Sequence, residues 1–144
     1  MIKKNGYYYW VKGDSEHLSD HFNTTEFACK CDNDDCLLQK ISEDLINRLE
    51  WLREASKGPL KITSGFRCAK HQKALAESGV NTVVAKLSTH EMGQAVDVMS
   101  SPLQPLQLLE LAKIKFFSIG TARNFLHLDL RPAHPDGTPR RWKY

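Results

Sequence analysis

The sequence predicts an α+β fold: one compact domain, residues 1–144, in which a small antiparallel sheet flanked by helices carries the chemistry. Three observations predict it. Two short segments, Gln94-Ala95-Val96-Asp97-Val98 and Phe125-Leu126-His127-Leu128-Asp129-Leu130, alternate polar with apolar residues as strands with one buried side do. Between and before them lie stretches with apolar residues at helical spacing. A length of 144 residues suits a single core, and no repeat or linker divides the chain.

The elements follow in order. Tyr7-Tyr8-Tyr9-Trp10 reads as an edge strand ending in a Gly13-Asp14 turn, its aromatics packed on the domain. Residues 42–56 read as a helix, with Ser42 as N-cap, Leu45, Ile46, Leu49 and Leu52 on one face, and Asp44 four before Arg48. Gly58-Pro59 ends it. Residues 61–64 form a short strand leading to a Ser64-Gly65 turn, and residues 69–78 a short helix closed by Gly79. Residues 81–87 read as a loop. Ser101-Pro102 or Gln104-Pro105 opens another helix with Leu106, Leu109 and Lys113 on successive turns, since proline suits a first-turn position. Residues 116–120 and 125–131 pair as a hairpin, and the tail from Pro132 to Tyr144 is read as irregular.

Composition narrows the function. Net charge is only +3 and its basic residues are scattered, with no nucleic-acid motif, so a nucleic-acid partner is not expected. No run approaches the roughly 18–20 apolar residues that cross a bilayer, so no membrane insertion is expected either. The first ten residues lack the apolar stretch of about 7–15 residues of a secretory leader. The expectation is a monomer that stays in the cytoplasm as synthesised and reaches other compartments only by release.

The candidate chemistry lies in His90, Asp97 and His127. A catalytic zinc usually takes three ligands of the His/Asp/Glu type and leaves a fourth position to water. If the strands around Asp97 and His127 pair antiparallel, the two residues can stand opposite each other, Cβ atoms about 5 Å apart. Gly93 permits the turn that returns His90 to them. The plainer alternative is three unrelated polar residues at strand ends.

The pattern Ser88-x-His90-x-x-Gly93-x-Ala95-x-Asp97, followed by Phe125-Leu126-His127-Leu128-Asp129-Leu130-Arg131, resembles the zinc D-alanyl-D-alanine carboxypeptidase and L-alanyl-D-glutamate endopeptidase family. Ser64-Gly65-Phe66-Arg67 matches its Ser-Gly-aromatic-Arg element, and Leu18-Ser19 through Phe22, Glu26-Phe27, Cys29 and Cys31 resembles the lead-in of a branch common in phage genomes. The likeness runs from about residue 18 to residue 131. It implies one catalytic zinc on His90, Asp97 and His127 and a peptidoglycan peptide as substrate. A phage or prophage cell-wall hydrolase is the expectation, with a non-catalytic zinc-stabilised module as alternative.

The proton acceptor departs from the family pattern, because Asn124 stands where many relatives carry an acid three residues before the last zinc histidine. Asp129 is then read as the catalytic base, with the alternative that it only orients a zinc histidine. By resemblance Arg67 grips a substrate carboxylate or polarised carbonyl, the alternative being an ion pair. Ser88 would orient His90 or substrate, or cap a turn, and Gln72 would line the pocket. Cys29, Cys31, Cys36 and Cys68 are read first as free or disulfide-linked thiols, with a second, structural zinc as the rival.

Overall fold

A computed structural model describes residues 1–78 and 88–144 of the chain; the expected helix stop at Gly79 and the loop over residues 81–87 lie outside the described residues. Its α+β architecture uses two sheets. The first has the order β1-β2-β3, from β1 (Ile2–Lys4), β2 (Tyr7–Val11) and β3 (Leu38–Ser42), all antiparallel. Tyr7–Val11 is therefore the central strand of this sheet, a correction to the edge strand expected from its aromatics. The expectation missed both neighbours because each is short and barely alternates. Trp10 is buried in the core and Tyr8 packs against it, so alternate members of this aromatic run face inward.

The second sheet carries the site in the order β4-β5-β7-β6-β8. Its strands are β4 (Leu60–Ser64), β5 (Ala95–Ser100), β6 (Ser118–Thr121), β7 (Leu126–Asp129) and β8 (Arg140–Lys143). Every pairing is antiparallel except β6 with β8. The expected hairpin of β6 and β7 forms, with Ile119 opposite Leu128. The tail is not irregular as expected: Arg140–Lys143 adds the parallel edge strand. Its own sequence, Arg-Arg-Trp-Lys, has no apolar alternation to announce a strand, and pairing to β6 supplies the order.

Helices cover the sheets where the sequence provides an apolar face and a start signal. Asn23 and Glu26 form a capping box at α1 (Thr24–Phe27). The Ser42 side chain accepts the Leu45 N–H and opens α2 (Glu43–Ala55), which buries Leu45, Ile46, Leu49 and Leu52. On its outer face Arg48 pairs with Asp44 at 2.9 Å. Cys68 caps α3 (Ala69–Glu77), and Gln104 precedes Pro105 at the start of α4 (Pro105–Ala112). In α4 the buried residues are Leu108 and Ala112 while Leu106 is exposed, which corrects the face expected to run through Leu106, Leu109 and Lys113.

One core joins these layers, with Phe22, Phe27, Leu49, Val96, Ile119 and Leu128 among its buried members. Burying each such side chain stabilises the fold by about 1.5–3 kcal/mol, so the two central strands of the site are held from behind by apolar packing. The chemistry-bearing residues lie on the opposite face of those strands.

Candidate active site

Strands β5 and β7 are direct neighbours, and their register sets Asp97 opposite His127 and Ala95 opposite Asp129. Alternation does the rest: Val96 and Val98 point to the core and Asp97 away from it. His90 arrives from the turn before β5. There the N–H groups of Glu91 and Met92 donate to the Ser88 carbonyl at 3.0 and 3.3 Å, and Gly93 donates to the His90 carbonyl at 3.2 Å. Gly93 closes the turn at φ +69°, a left-handed conformation that side chains disfavour.

Each imidazole has one nitrogen committed and one free to coordinate. The Nδ1 of His90 donates to the Gly65 carbonyl at 2.7 Å, which leaves Nε2 as an acceptor 3.5 Å from Asp97 Oδ1. His127 reverses the assignment. Its Nε2 lies 2.8 Å from Asp129 Oδ2 and, facing a carboxylate, carries the proton; Nδ1 lies 3.1 Å from Asp97 Oδ1. Three lone-pair donors therefore converge, and ligand atoms of His90, Asp97 and His127 all lie within 4.8 Å of one another. All three residues are buried. Buried acceptors that face one another require a proton or a cation between them, and a two-imidazole, one-carboxylate set suits zinc.

The electrostatics agree with that reading. Burial, with Arg67 and His127 nearby, pulls the His90 pKa below the usual imidazole value despite its contact with Asp97. Burial also opposes a charge on His127, but hydrogen bonds to Asp129 and Asp97 outweigh it and raise its pKa. Asp97 is likewise desolvated, yet both histidines hold its carboxyl well below the usual range.

Arg67 stands beside this cluster with its guanidinium in use. Nη2 binds Asp97 Oδ2 at 3.0 Å, Nε binds Ser64 Oγ at 2.9 Å, and Nη1 binds Gln72 Oε1 at 3.2 Å. Asp97 thus gives one oxygen to Arg67 and turns the other to the histidines. Gln72 is buried, and its Oε1 holds Arg67. Ser88 is buried too, and its Oγ accepts the His90 N–H at 3.2 Å, which caps the turn.

Asp129, expected as the base or as an orienting partner, is held on both oxygens. Its carboxylate is fully buried and every oxygen is engaged: Oδ1 accepts from Arg131 N and Nε at 3.0 Å, and Oδ2 from His127 Nε2 and Arg131 Nη2. Against the cost of burial, these partners hold its pKa well below the usual carboxylate range. It binds the His127 nitrogen that does not face Asp97. These contacts fit the orienting role, in which Asp129 fixes the ring of His127.

Two residues that sequence reasoning missed complete the wall. The Trp142 ring on β8 packs on His127 with centroids 5.3 Å apart, and the Arg131 guanidinium lies 5.4 Å over the same indole. Spacing gave a signal only for Arg131, two residues from Asp129. Nothing local marks Trp142, because the parallel pairing of β8 brings it there.

A second cluster lies apart from the first. Cys29, Cys31, Cys36 and Cys68 are all free thiols, with Sγ atoms within 4.8 Å of one another.

A buried His-Asp-His triplet on two central strands and the turn before them, with an arginine clamped to its carboxylate, defines a metallohydrolase-like centre. The family model described as Peptidase M15 matches residues 20–129, and the chain belongs to this family of zinc-dependent, D-alanyl-D-alanine carboxypeptidase-like peptidases. No curated protein matches the chain.

Proposed function

We propose that this chain is a zinc peptidase that hydrolyses a peptide bond in the stem or cross-link peptides of peptidoglycan, and that it serves as a phage or prophage cell-wall hydrolase acting after release to the wall. The observation that carries the reading is the convergence of His90 Nε2, Asp97 Oδ1 and His127 Nδ1, each with its other polar atom tied away.

In this reading His90, Asp97 and His127 hold the zinc. When bound, zinc polarises a scissile carbonyl and acidifies a water molecule. The chain's residues supply the rest. Gly65 and Asp129 hold the outer nitrogen of each imidazole and so fix which nitrogen turns toward the ion. Arg67 fixes Asp97 and keeps one further N–H on each terminal nitrogen, a pair suited to a carboxylate or carbonyl oxygen of the substrate. Trp142 shields one face of His127 from water.

The test is digestion of purified muropeptides and D-Ala-D-Ala dipeptide, followed by mass spectrometry. Zinc-loaded protein should release a product, and His90→Ala should abolish release together with zinc binding. Intact substrates under zinc saturation would reject the reading. A second reading, a zinc-stabilised binding module, draws support from Asn124 at the usual acid position and from the full engagement of Asp129. It predicts zinc binding with no turnover at any pH.

A further inference from the structure

We propose that Cys29, Cys31, Cys36 and Cys68 form a second metal site, a tetrathiolate centre for zinc that is separate from the histidine site and structural in role. Two independent observations point to it. The first is spacing: a tetrahedral zinc with Zn–S near 2.3 Å sets its sulfurs about 3.8 Å apart. Cys31 and Cys68 Sγ lie 3.7 Å apart, and all four sulfurs fall within 4.8 Å of one another. A disulfide would need about 2.05 Å.

The second is the hydrogen bonding around the sulfurs. Each of the four accepts from a donor that is not a cysteine thiol. The Cys68 backbone N–H reaches Cys29 Sγ at 3.3 Å, and the His71 N–H reaches Cys68 Sγ at 3.4 Å. The Gln39 amide reaches Cys36 Sγ at 3.5 Å and the Lys12 ammonium reaches Cys31 Sγ at 3.6 Å. Four sulfurs all acting as acceptors, one toward a cation, is the arrangement thiolate ligands require of their surroundings. Neutral surface thiols need no such set.

Topology gives the centre its purpose. Cys29, Cys31 and Cys36 lie on the irregular stretch between α1 and β3, whereas Cys68 opens α3 directly after Arg67. One ion would tie that stretch to the turn bearing Arg67. The clamp would therefore hold the arginine that positions Asp97, without touching substrate.

The test is metal analysis of the full chain purified under reducing conditions. The wild-type chain should carry about two zinc ions, and Cys31→Ser, at a half-exposed position, about one. His90→Ala combined with His127→Ala should also retain about one. Cobalt(II) substitution of the wild-type chain, which needs no variant to fold, should give intense thiolate-to-cobalt charge-transfer absorption. That absorption should persist in the histidine double variant, which keeps this proposal distinct from the peptidase reading. Four alkylatable thiols in metal-saturated protein without this absorption would overturn it, as would disulfides found by mass spectrometry of the non-reduced chain.

Discussion

Asp129 and His127 show how two residues apart on one strand divide their labour. Asp129 binds Nε2 so that Nδ1 is turned toward Asp97, where the proposed zinc would sit. Asp129→Asn should therefore weaken zinc binding, by about 10–100-fold as is usual when an orienting partner is lost. Activity should return largely at saturating zinc, whereas loss of a true base would leave affinity intact and abolish turnover; a zinc titration of kcat separates them. Protons compete at the same nitrogens. Because the His127 pKa is raised above its ordinary 6.5, zinc would compete with a proton there once the pH falls below that raised value. Zinc affinity should fall about tenfold per pH unit below that raised value. His90, whose pKa is lowered from 6.5, adds a second proton only in more acid solution. Competition with a chromophoric chelator across a pH series reads this slope, about one proton until His90 adds its own. In the metal-free chain the depressed Asp97 and Asp129 contribute stability above about pH 4 that is lost as pH falls through their folded values. The His127 contribution has the opposite sign, present below about pH 6.5 and lost as pH rises through its folded value. The meeting of His90, Asp97 and His127 was legible in the sequence because strand alternation and a glycine turn determine where they point. The contacts of Asp129 were not, since an aspartate two residues from a histidine on one face serves equally as base or brace, and nothing local shows that Arg131 occupies its other oxygen.

At the scale of elements, the Ser64-Gly65-Phe66-Arg67 turn links the two halves of the fold. A Cβ on Gly65 would sit 2.7 Å from the Phe27 backbone, and the Gly65 carbonyl holds His90. Gly65→Ala should thus force the turn away from α1, costing about 1–3 kcal/mol as overpacking does. Urea denaturation measures that loss, and a parallel drop in zinc affinity would show that His90 has moved with the turn. Helix α2, β4 and the β6–β7 hairpin were readable because each carries its own cap or alternation. Strands β1, β3 and β8 were not, because their order comes from partners distant in sequence. The α4 face was misassigned for a related reason: its leucine-rich sequence fits more than one stripe, and packing against β5, β6 and β7 chooses Leu108 and Ala112.

For the molecule as a whole, the histidine site is built on the central strands of a sheet whose far side is core, so metal binding and folding are coupled. Zinc a thousandfold above its Kd would add about 4 kcal/mol to stability. In a chain of this length that corresponds to a Tm higher by about 10 °C, which calorimetry with and without chelator should record. The most direct measurement is zinc-edge anomalous diffraction from crystals of the zinc-loaded chain. The account predicts an ion bound by His90 Nε2, Asp97 Oδ1 and His127 Nδ1, with Asp129 still on His127 Nε2. An ion held through His127 Nε2, or a zinc peak at the cysteines with none at the histidines, would contradict it.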